Sequence, residues 1–240
     1  MTRLTTCVDA EAVAVRAAEE ITRQLNLALE QRGSAHLALS GGTTPGRTYE
    51  LLASSPVAWE RTDVWFADER CVGPEDEQSN YRLAAESLLT PGGVPTSRVH
   101  RMEGELGPER GAHGYAEELR ARLPVDDGEL PVLDVVVLGI GPDGHVASLF
   151  PGARTLDAPE TAICLGVEHS PKPPPERITL SLQMLRVARC CVLLATGAAK
   201  ADAVDAMLGE PSSHVPASLL RRERLTVIAD DSASPAPAQR

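Results

Sequence analysis

The sequence predicts an α/β fold built as a doubly wound, mainly parallel sheet with helices on both faces. Apolar runs typical of strands covered on both sides alternate with helical patterns along the chain. With 240 residues, the chain is long enough to bury the core that such a sheet needs. We expect a single α/β domain over 1–230, with a possible cap or subdomain at 91–131, and a disordered tail over 231–240.

The elements follow from hydrophobic periodicity. The first is an amphipathic helix over 10–31, in which Val13, Ala17 and Ile21 share one face and which Gly33 ends. Strands are predicted at 35–40, 63–67, 133–138, 162–167, 190–195 and 225–229, and further helices at 47–52, 78–89, 109–123, 198–208 and 216–222. Ligands of such sheets bind beyond the carboxyl ends of the strands, so the residues after each strand are the candidates for function.

Composition excludes several classes of partner. The formal net charge is -11 and only 3% of residues are aromatic, so the chain offers neither the field nor the stacking surfaces that nucleic acid needs. The five cysteines show no CxxC spacing, which predicts neither a disulfide framework nor a metal site. Acidic residues near the N-terminus and the lack of a long apolar run predict no membrane association and a cytoplasmic location.

The first strand runs into the loop SGGTTPG, which starts at Ser40 and precedes a helix. Glycines let the backbone approach a ligand, and hydroxyls with the free N–H groups of a helix start favour an anion. The loop is therefore a candidate phosphate cradle; a plain turn with a threonine N-cap is the alternative. The segment from Gly41 to Thr48 is close to a P-loop, but Arg47 replaces the lysine, which argues against a nucleoside triphosphate.

The second strand ends in Asp68-Glu69-Arg70, and a polar loop with Asn80 follows. Three charges at the carboxyl end of a strand suit a site for a polar ligand, although a solvated turn would have the same composition.

The segment GIGPDGHVASLFPG over 139–152 carries the most information. Its start matches the GxGxxG motif of dinucleotide sites, and Glu168 lies near the spacing of the acid that binds the ribose in such sites. Two features argue against a dinucleotide: Pro151 leaves too little room for the long helix, and Asp143 would place a carboxylate beside the pyrophosphate. Of the six histidines, only His145 lies in such a loop. A lone histidine is more often structural, but the glycines and Asp143 favour a general base that activates water.

All but two of the 23 basic residues are arginines. The two lysines, Lys172 and Lys200, fall in the segments PKPPPERIT (171–179) and TGAAK (196–200), which also supply Arg177. Both segments could direct a cation into the cleft, although a single charge in a loop is usually only solvated.

The chain resembles the 6-phosphogluconolactonase family over residues 8–229. The resemblance lies in the order and surroundings of five segments: SGGTTP, FADER with SNY, GIGPDGHVASLFPG, KPPPERIT and TGAAK. The resemblance implies a Rossmann-like fold shared with glucosamine-6-phosphate deaminases, ribose-5-phosphate isomerases and coenzyme A transferases. It also implies a lactonase of the oxidative pentose phosphate pathway that uses no metal and no cofactor. By this resemblance His145 is similar to the family's base, the 41–44 loop to its phosphate cradle, and Arg177 and Lys200 to its cationic clamps.

We therefore expect hydrolysis of 6-phospho-D-glucono-1,5-lactone by water that His145 activates. Asp143 or Asp68 would orient the ring, and Arg70 or a backbone N–H of the glycine loop would stabilise the oxyanion. The candidate substrate- and phosphate-binding residues are Ser40, Gly41, Gly42, Thr43, Thr44, Asn80, Arg177 and Lys200. Ser40 and Ser148 lie outside any G-x-S-x-G elbow, so no covalent intermediate is expected.

Two alternatives remain. An aminosugar-phosphate isomerase/deaminase would share the GxDGH loop, but that family normally continues Ala-Phe-Asn-Glu-Pro, in which the Glu assists proton relay, and carries Tyr where Arg70 stands. This chain has Ala-Ser-Leu-Phe-Pro over 147–151. A non-catalytic sugar-phosphate sensor would need an output module, and no helix-turn-helix pattern precedes residue 35.

Overall fold

A six-stranded, fully parallel sheet forms the centre of the protein in a computed structural model that describes residues 2–125 and 130–235. Its strands are β1 (Arg3–Cys7), β2 (Ala35–Leu39), β3 (Thr62–Phe66), β5 (Val135–Gly139), β8 (Cys190–Ala195) and β9 (Leu225–Asp230), in the order β1-β9-β8-β5-β2-β3. Strands β2, β3, β8 and β9 are buried at every residue, as expected of strands covered on both faces. The predicted α/β fold class is confirmed.

A second, antiparallel sheet of three short strands stands beside the first. It contains β4 (Asp68–Arg70), β6 (Cys164–Val167) and β7 (Arg177–Leu180), in the order β4-β7-β6. The predicted strand at 162–167 corresponds to β6 and belongs to this antiparallel sheet. Only Val167 of β6 is fully buried, because β6 is an edge strand with one neighbour.

In the described part of the chain, six α-helices connect the strands: α1 (Ala10–Arg32), α2 (Thr43–Ala53), α3 (Asn80–Ala84), α4 (Pro108–Arg122), α5 (Leu182–Val187) and α6 (Ala201–Leu208). The Asp9 carboxylate caps α1 by accepting from the Ala12 N–H, and Gly33 ends the helix with φ 79°. A π-helical turn, Ala85–Leu89, continues α3. The helix predicted at 216–222 is instead two 3₁₀ turns, Pro216–Leu219 and Arg222–Arg224, and α5 was not predicted.

The 91–131 stretch packs into the same core as the main sheet. Tyr115 on α4 is buried, and its hydroxyl accepts from the Phe66 N–H at 2.7 Å. Met102 and Leu119 belong to the same apolar cluster, and residues 126–129 lie outside the described part.

The segment expected to form a disordered tail begins as an ordered turn. Ala233 is fully buried, and its N–H donates to the Asp230 carboxylate at 2.7 Å. The expectation of disorder was therefore wrong for residues 231–235, and residues 236–240 lie outside the described chain. No helix among the described residues has both the length and the apolar character needed to cross a bilayer.

Candidate active site

A cleft of about 360 Å³ opens at the carboxyl ends of β2, β5 and β8, where the sequence places its candidates. It is lined by the 40–45 loop, Asp68, Arg70, the 139–141 loop, His145, Ala147, Lys172, Pro173, Arg177, Leu194, Thr196 and Lys200. Four of these side chains are cationic and one, Asp68, is a carboxylate. The cleft is thus locally positive in a chain of net charge -11, which suits a small anionic ligand.

His145 and Asp143 form a hydrogen-bonded pair beside this cleft. The ring Nδ1 lies 2.5 Å from the Asp143 Oδ1, and the histidine side chain is 17% exposed. Because Nδ1–H donates to the carboxylate, Nε2 is the nitrogen left to accept a proton. Burial lowers the pKa of His145 and outweighs the opposing effect of Asp143, so the ring is neutral and able to act as a base at neutral pH.

The glycines of this loop give the pair its space. A Cβ on Gly141 would lie 2.0 Å from the His145 Nδ1 and 2.3 Å from the Asp143 Oδ1. Gly144 adopts φ 79°, which closes a turn in which its N–H donates to the Gly141 carbonyl at 2.9 Å. The loop continues without a long helix, as the rejection of a dinucleotide site predicted.

Asp68 does not contact His145. Its carboxylate accepts from the Ser148 hydroxyl at 2.8 Å and from the Asn80 amide at 3.2 Å. Of the two acids that the sequence offered for orienting the ring, Asp143 is the one in hydrogen-bond contact with it. Ser148 is fully buried with its hydroxyl committed to Asp68, which removes it as a candidate nucleophile.

The N-terminus of α2 faces the cleft through Thr43 and Thr44. Gly42 occupies the N-cap position with φ 116° and makes no side-chain cap, so the first-turn amides remain available to an anion. The Thr44 hydroxyl lies 2.6 Å from the Thr196 hydroxyl. The Ser40 hydroxyl is buried without a hydrogen-bond partner among the described residues and also lines the cleft.

Asn80 lies behind the glycine loop, away from the cleft. Its amide donates to the Asp68 carbonyl at 2.9 Å, and a Cβ on Gly41 would lie 1.8 Å from its Oδ1. The prediction that Asn80 contacts substrate is therefore not supported by its position. It packs against Gly41 and supports the cradle, which explains why residue 41 has no side chain.

Arg177 and Lys200 both line the cleft, and backbone carbonyls hold them there. Arg177 is 4% exposed, and its guanidinium donates to the carbonyls of Lys172, Pro173 and Pro174 at 3.2, 3.0 and 3.1 Å. The Lys200 Nζ donates to the Ile140 carbonyl at 2.6 Å. Burial lowers the pKa of both groups.

Arg70 reaches the cleft from β4. Its Nη1 donates to the Gln78 carbonyl at 2.6 Å, and its Nε is buried without a partner in the described chain. The buried Nε is closed to a ligand, so Arg70 would meet one through the part of its guanidinium that lines the cleft.

Sequence reasoning missed the role of Glu69. This buried carboxylate accepts from the N–H groups of Arg70, Asn80 and Tyr81 at 2.7 to 2.8 Å. It accepts also from the Ser79 hydroxyl at 3.0 Å. Glu69 thus fixes the start of α3, and with it Asn80. The run Asp68-Glu69-Arg70 gave no signal that its middle member points away from the cleft.

Lys172 and Thr196 also line the cleft but were not among the predicted site residues. The rarity of lysine was the one signal for Lys172. Within residues 2–125 and 130–235, no group of three or more His, Cys, Asp and Glu side chains is arranged to hold a metal ion.

Comparison with known proteins identifies the relatives of this chain. The family model described as glucosamine-6-phosphate isomerases/6-phosphogluconolactonase matches residues 8–229. A 6-phosphogluconolactonase of Streptomyces coelicolor is 38% identical over 237 residues, covering 94% of this chain and 90% of the relative. The 6-phosphogluconolactonase of Rattus norvegicus is 35% identical, covering 79% and 75%.

Solved structures agree. A 6-phosphogluconolactonase from Thermotoga maritima aligns with a TM-score of 0.84 at 28% identity, covering 96% of this chain and 99% of the other. A monomeric glucosamine-6-phosphate deaminase aligns with a TM-score of 0.79 at 21% identity, a likeness that concerns the fold alone. The chain therefore belongs to the family of glucosamine-6-phosphate isomerases and 6-phosphogluconolactonases.

Proposed function

We propose that this protein hydrolyses 6-phospho-D-glucono-1,5-lactone to 6-phosphogluconate in the oxidative pentose phosphate pathway. The observation that carries the proposal is the Asp143–His145 pair, set with a neutral ring beside a cationic cleft. The relatives named 6-phosphogluconolactonase support the same reaction.

In the proposed reaction, His145 acts as the general base. Its Nε2 accepts a proton from water as the water oxygen attacks the C1 carbonyl carbon, while Asp143 holds Nδ1–H and stabilises the imidazolium that forms. The C1–O5 bond then breaks, and the imidazolium returns its proton to the departing ring oxygen. Atoms and charges balance with water as the only co-reactant.

The oxyanion on C1 requires a hydrogen-bond donor, and we assign this role to Arg70. Its guanidinium lines the cleft and presents a positive charge and N–H donors to a ligand there. Asp68 lines the same cleft, and its carboxylate accepts hydrogen bonds from Ser148 and Asn80. We therefore assign it a role in positioning these polar side chains.

The phosphate end of the substrate is assigned to the α2 N-terminus with Ser40, Lys200 and Arg177. Backbone N–H groups at a helix start and two cations form a short-range anion site, which an acidic protein needs because its overall field repels phosphate. Specificity for the phosphorylated lactone then depends on these contacts.

Phe150 favours hydrolysis over isomerisation. It occupies the position where the deaminase pattern carries its relay Glu, and its ring centroid lies 4.7 Å from that of His145. An apolar ring there can pack against the imidazole but cannot relay a proton. Sugar ring opening and isomerisation would lack that second acid.

The proposal is tested by assaying hydrolysis of freshly prepared lactone, corrected for spontaneous opening, beside deamination of glucosamine 6-phosphate. We expect lactone turnover only, and His145→Ala to lower kcat by about 10²–10⁴-fold with little change in substrate affinity. His113→Ala is the matched control, because His113 lies 77% exposed on α4 outside the cleft. Deamination by the wild-type protein, or near-normal kcat in His145→Ala, would refute the proposal.

A further inference from the structure

Lys172 is the cation nearest to the proposed base. Its Nζ lies 3.5 Å from the His145 Nδ1 and 3.6 Å from the Asp143 Oδ1. It thus approaches the pair on the Nδ1 side, whereas the proton of the attacking water would arrive at Nε2.

The backbone of Lys172 is held by hydrogen bonds to the side chains of Ser170 and Arg177. The Lys172 carbonyl accepts from Arg177 at 3.2 Å and from the Ser170 hydroxyl at 2.9 Å, and its N–H donates to the Ser170 Oγ at 3.2 Å. These contacts fix the backbone from which the Lys172 side chain, 40% exposed, reaches the pair.

We propose that Lys172 is a positioning residue for the reaction: its charge holds the Asp143–His145 pair in the state with a charged carboxylate and a neutral, proton-accepting ring. The inference rests on the proposed role of His145 as the base. A carboxylate 2.5 Å from the ring favours the imidazolium, which cannot accept a proton. The Lys172 ammonium beside Nδ1 opposes protonation of the ring, because two positive charges would then lie close together. The same ammonium stabilises the negative charge of the Asp143 carboxylate.

The other charged groups around His145 cannot replace Lys172. Asp68 on β4 adds a further negative charge, and the Lys200 ammonium donates to the Ile140 carbonyl. The Arg177 guanidinium lies over the Phe150 ring, 5.7 Å from its centroid, and donates to the carbonyls of the 172–174 segment. Burial lowers the pKa of His145 most, Asp143 opposes this, and Lys172 adds to the lowering. Burial alone would raise the pKa of Asp143, but the hydrogen bond with His145 and the charge of Lys172 bring it below its usual value.

The test is an NMR titration of the His145 ring in the substrate-free protein, with the signal assigned by its loss in His145→Ala. Lys172→Met removes the charge and keeps the length of the side chain; we expect the titration midpoint to move to higher pH. Lys172→Arg should leave it close to that of the wild type. Lys200→Met, which removes the other lysine of the cleft, should move it less, because the Lys200 ammonium donates to the Ile140 carbonyl and acts on the pair only through the charge of Asp143.

The acidic limb of the kcat/KM profile gives a second readout. Because the base must be neutral, activity is lost as pH falls through the His145 pKa, so this limb should move to higher pH in Lys172→Met. An unchanged titration midpoint would overturn the inference. A higher KM for the phosphorylated lactone with an unchanged midpoint would also overturn it and make Lys172 a phosphate ligand. The titration needs no turnover, so failure of the proposed lactonase function is distinguishable from failure of this inference.

Discussion

Gly141→Ala tests whether the geometry of the Asp143–His145 pair controls the rate. The added methyl would lie 2.0 Å from the His145 Nδ1 and 2.3 Å from the Asp143 Oδ1, closer than the 3.0 Å below which real Cβ contacts essentially do not occur. The ring, the carboxylate or the loop must therefore shift by about 1 Å or more.

A misplacement of about 1 Å in a catalytic group costs on the order of 10²-fold in rate, or about 2.7 kcal/mol in the barrier. We expect kcat to fall by about this factor in Gly141→Ala. Any increase in KM should be smaller, because the groups to which we assign the phosphate, the α2 N-terminus and Lys200, are not members of the pair. Crowding of a loop costs roughly 1–3 kcal/mol of stability, so a thermal melt must accompany the assay to show that the variant is folded.

Gly114→Ala is the matched control for the glycine substitution itself. Gly114 lies exposed on α4, and a Cβ there would meet nothing within 4 Å. Alanine in a helix interior should stabilise the fold by roughly 0.5–1 kcal/mol and leave kcat unchanged. If folded Gly141→Ala kept kcat within about twofold of the wild type, the pair would tolerate displacement and the reasoning from its geometry would be refuted.

Two further outcomes follow from the site. For the phosphorylated lactone, Lys200→Ala should raise KM more than it lowers kcat, with a loss of about 2–3 kcal/mol in kcat/KM. For the unphosphorylated lactone, kcat/KM should scarcely change. Equal losses for both lactones would show instead that Lys200 acts at the reacting centre or stabilises the fold. Exhaustive EDTA treatment should leave activity intact because water activation is assigned to the imidazole of His145, and a loss that zinc or manganese restores would contradict that assignment.

The parallel sheet was predictable because most residues of its strands are apolar and buried. Strands β2, β3, β8 and β9 begin and end within about one residue of the predicted runs, and their residues are all buried. Strand β1 gave no such signal: it pairs only with β9, and its residues Arg3, Leu4 and Thr6 are exposed. With three of its five residues exposed and polar residues among them, β1 has the sequence pattern of a loop.

Many of the residues that line the cleft were also predictable from the sequence, because they follow strands of the parallel sheet. Carboxyl ends of parallel strands meet at one edge, which brings the 40–44 loop, His145 and Lys200 into one cleft. The contacts of Asp68 were not predictable, because they depend on β4 leaving the main sheet and pairing with β7. The same departure places Asn80 behind Gly41, where sequence reasoning had expected a ligand contact.

Arg177 links two parts of the site that sequence reasoning treated as separate. Its guanidinium holds the carbonyls of the 172–174 segment, and that segment carries the ammonium group that approaches His145. A side chain with Nε and Nη2 engaged in this way has Nη1 left for a phosphate oxygen. If the proposed roles hold, removal of Arg177 would both weaken the proposed anion site and free the segment that carries Lys172 to the Asp143–His145 pair. A rate loss in such a variant would not by itself assign Arg177 to phosphate recognition. A substitution of Lys200 distinguishes binding from catalysis better, because the Lys200 ammonium donates to a single carbonyl, that of Ile140, just after β5.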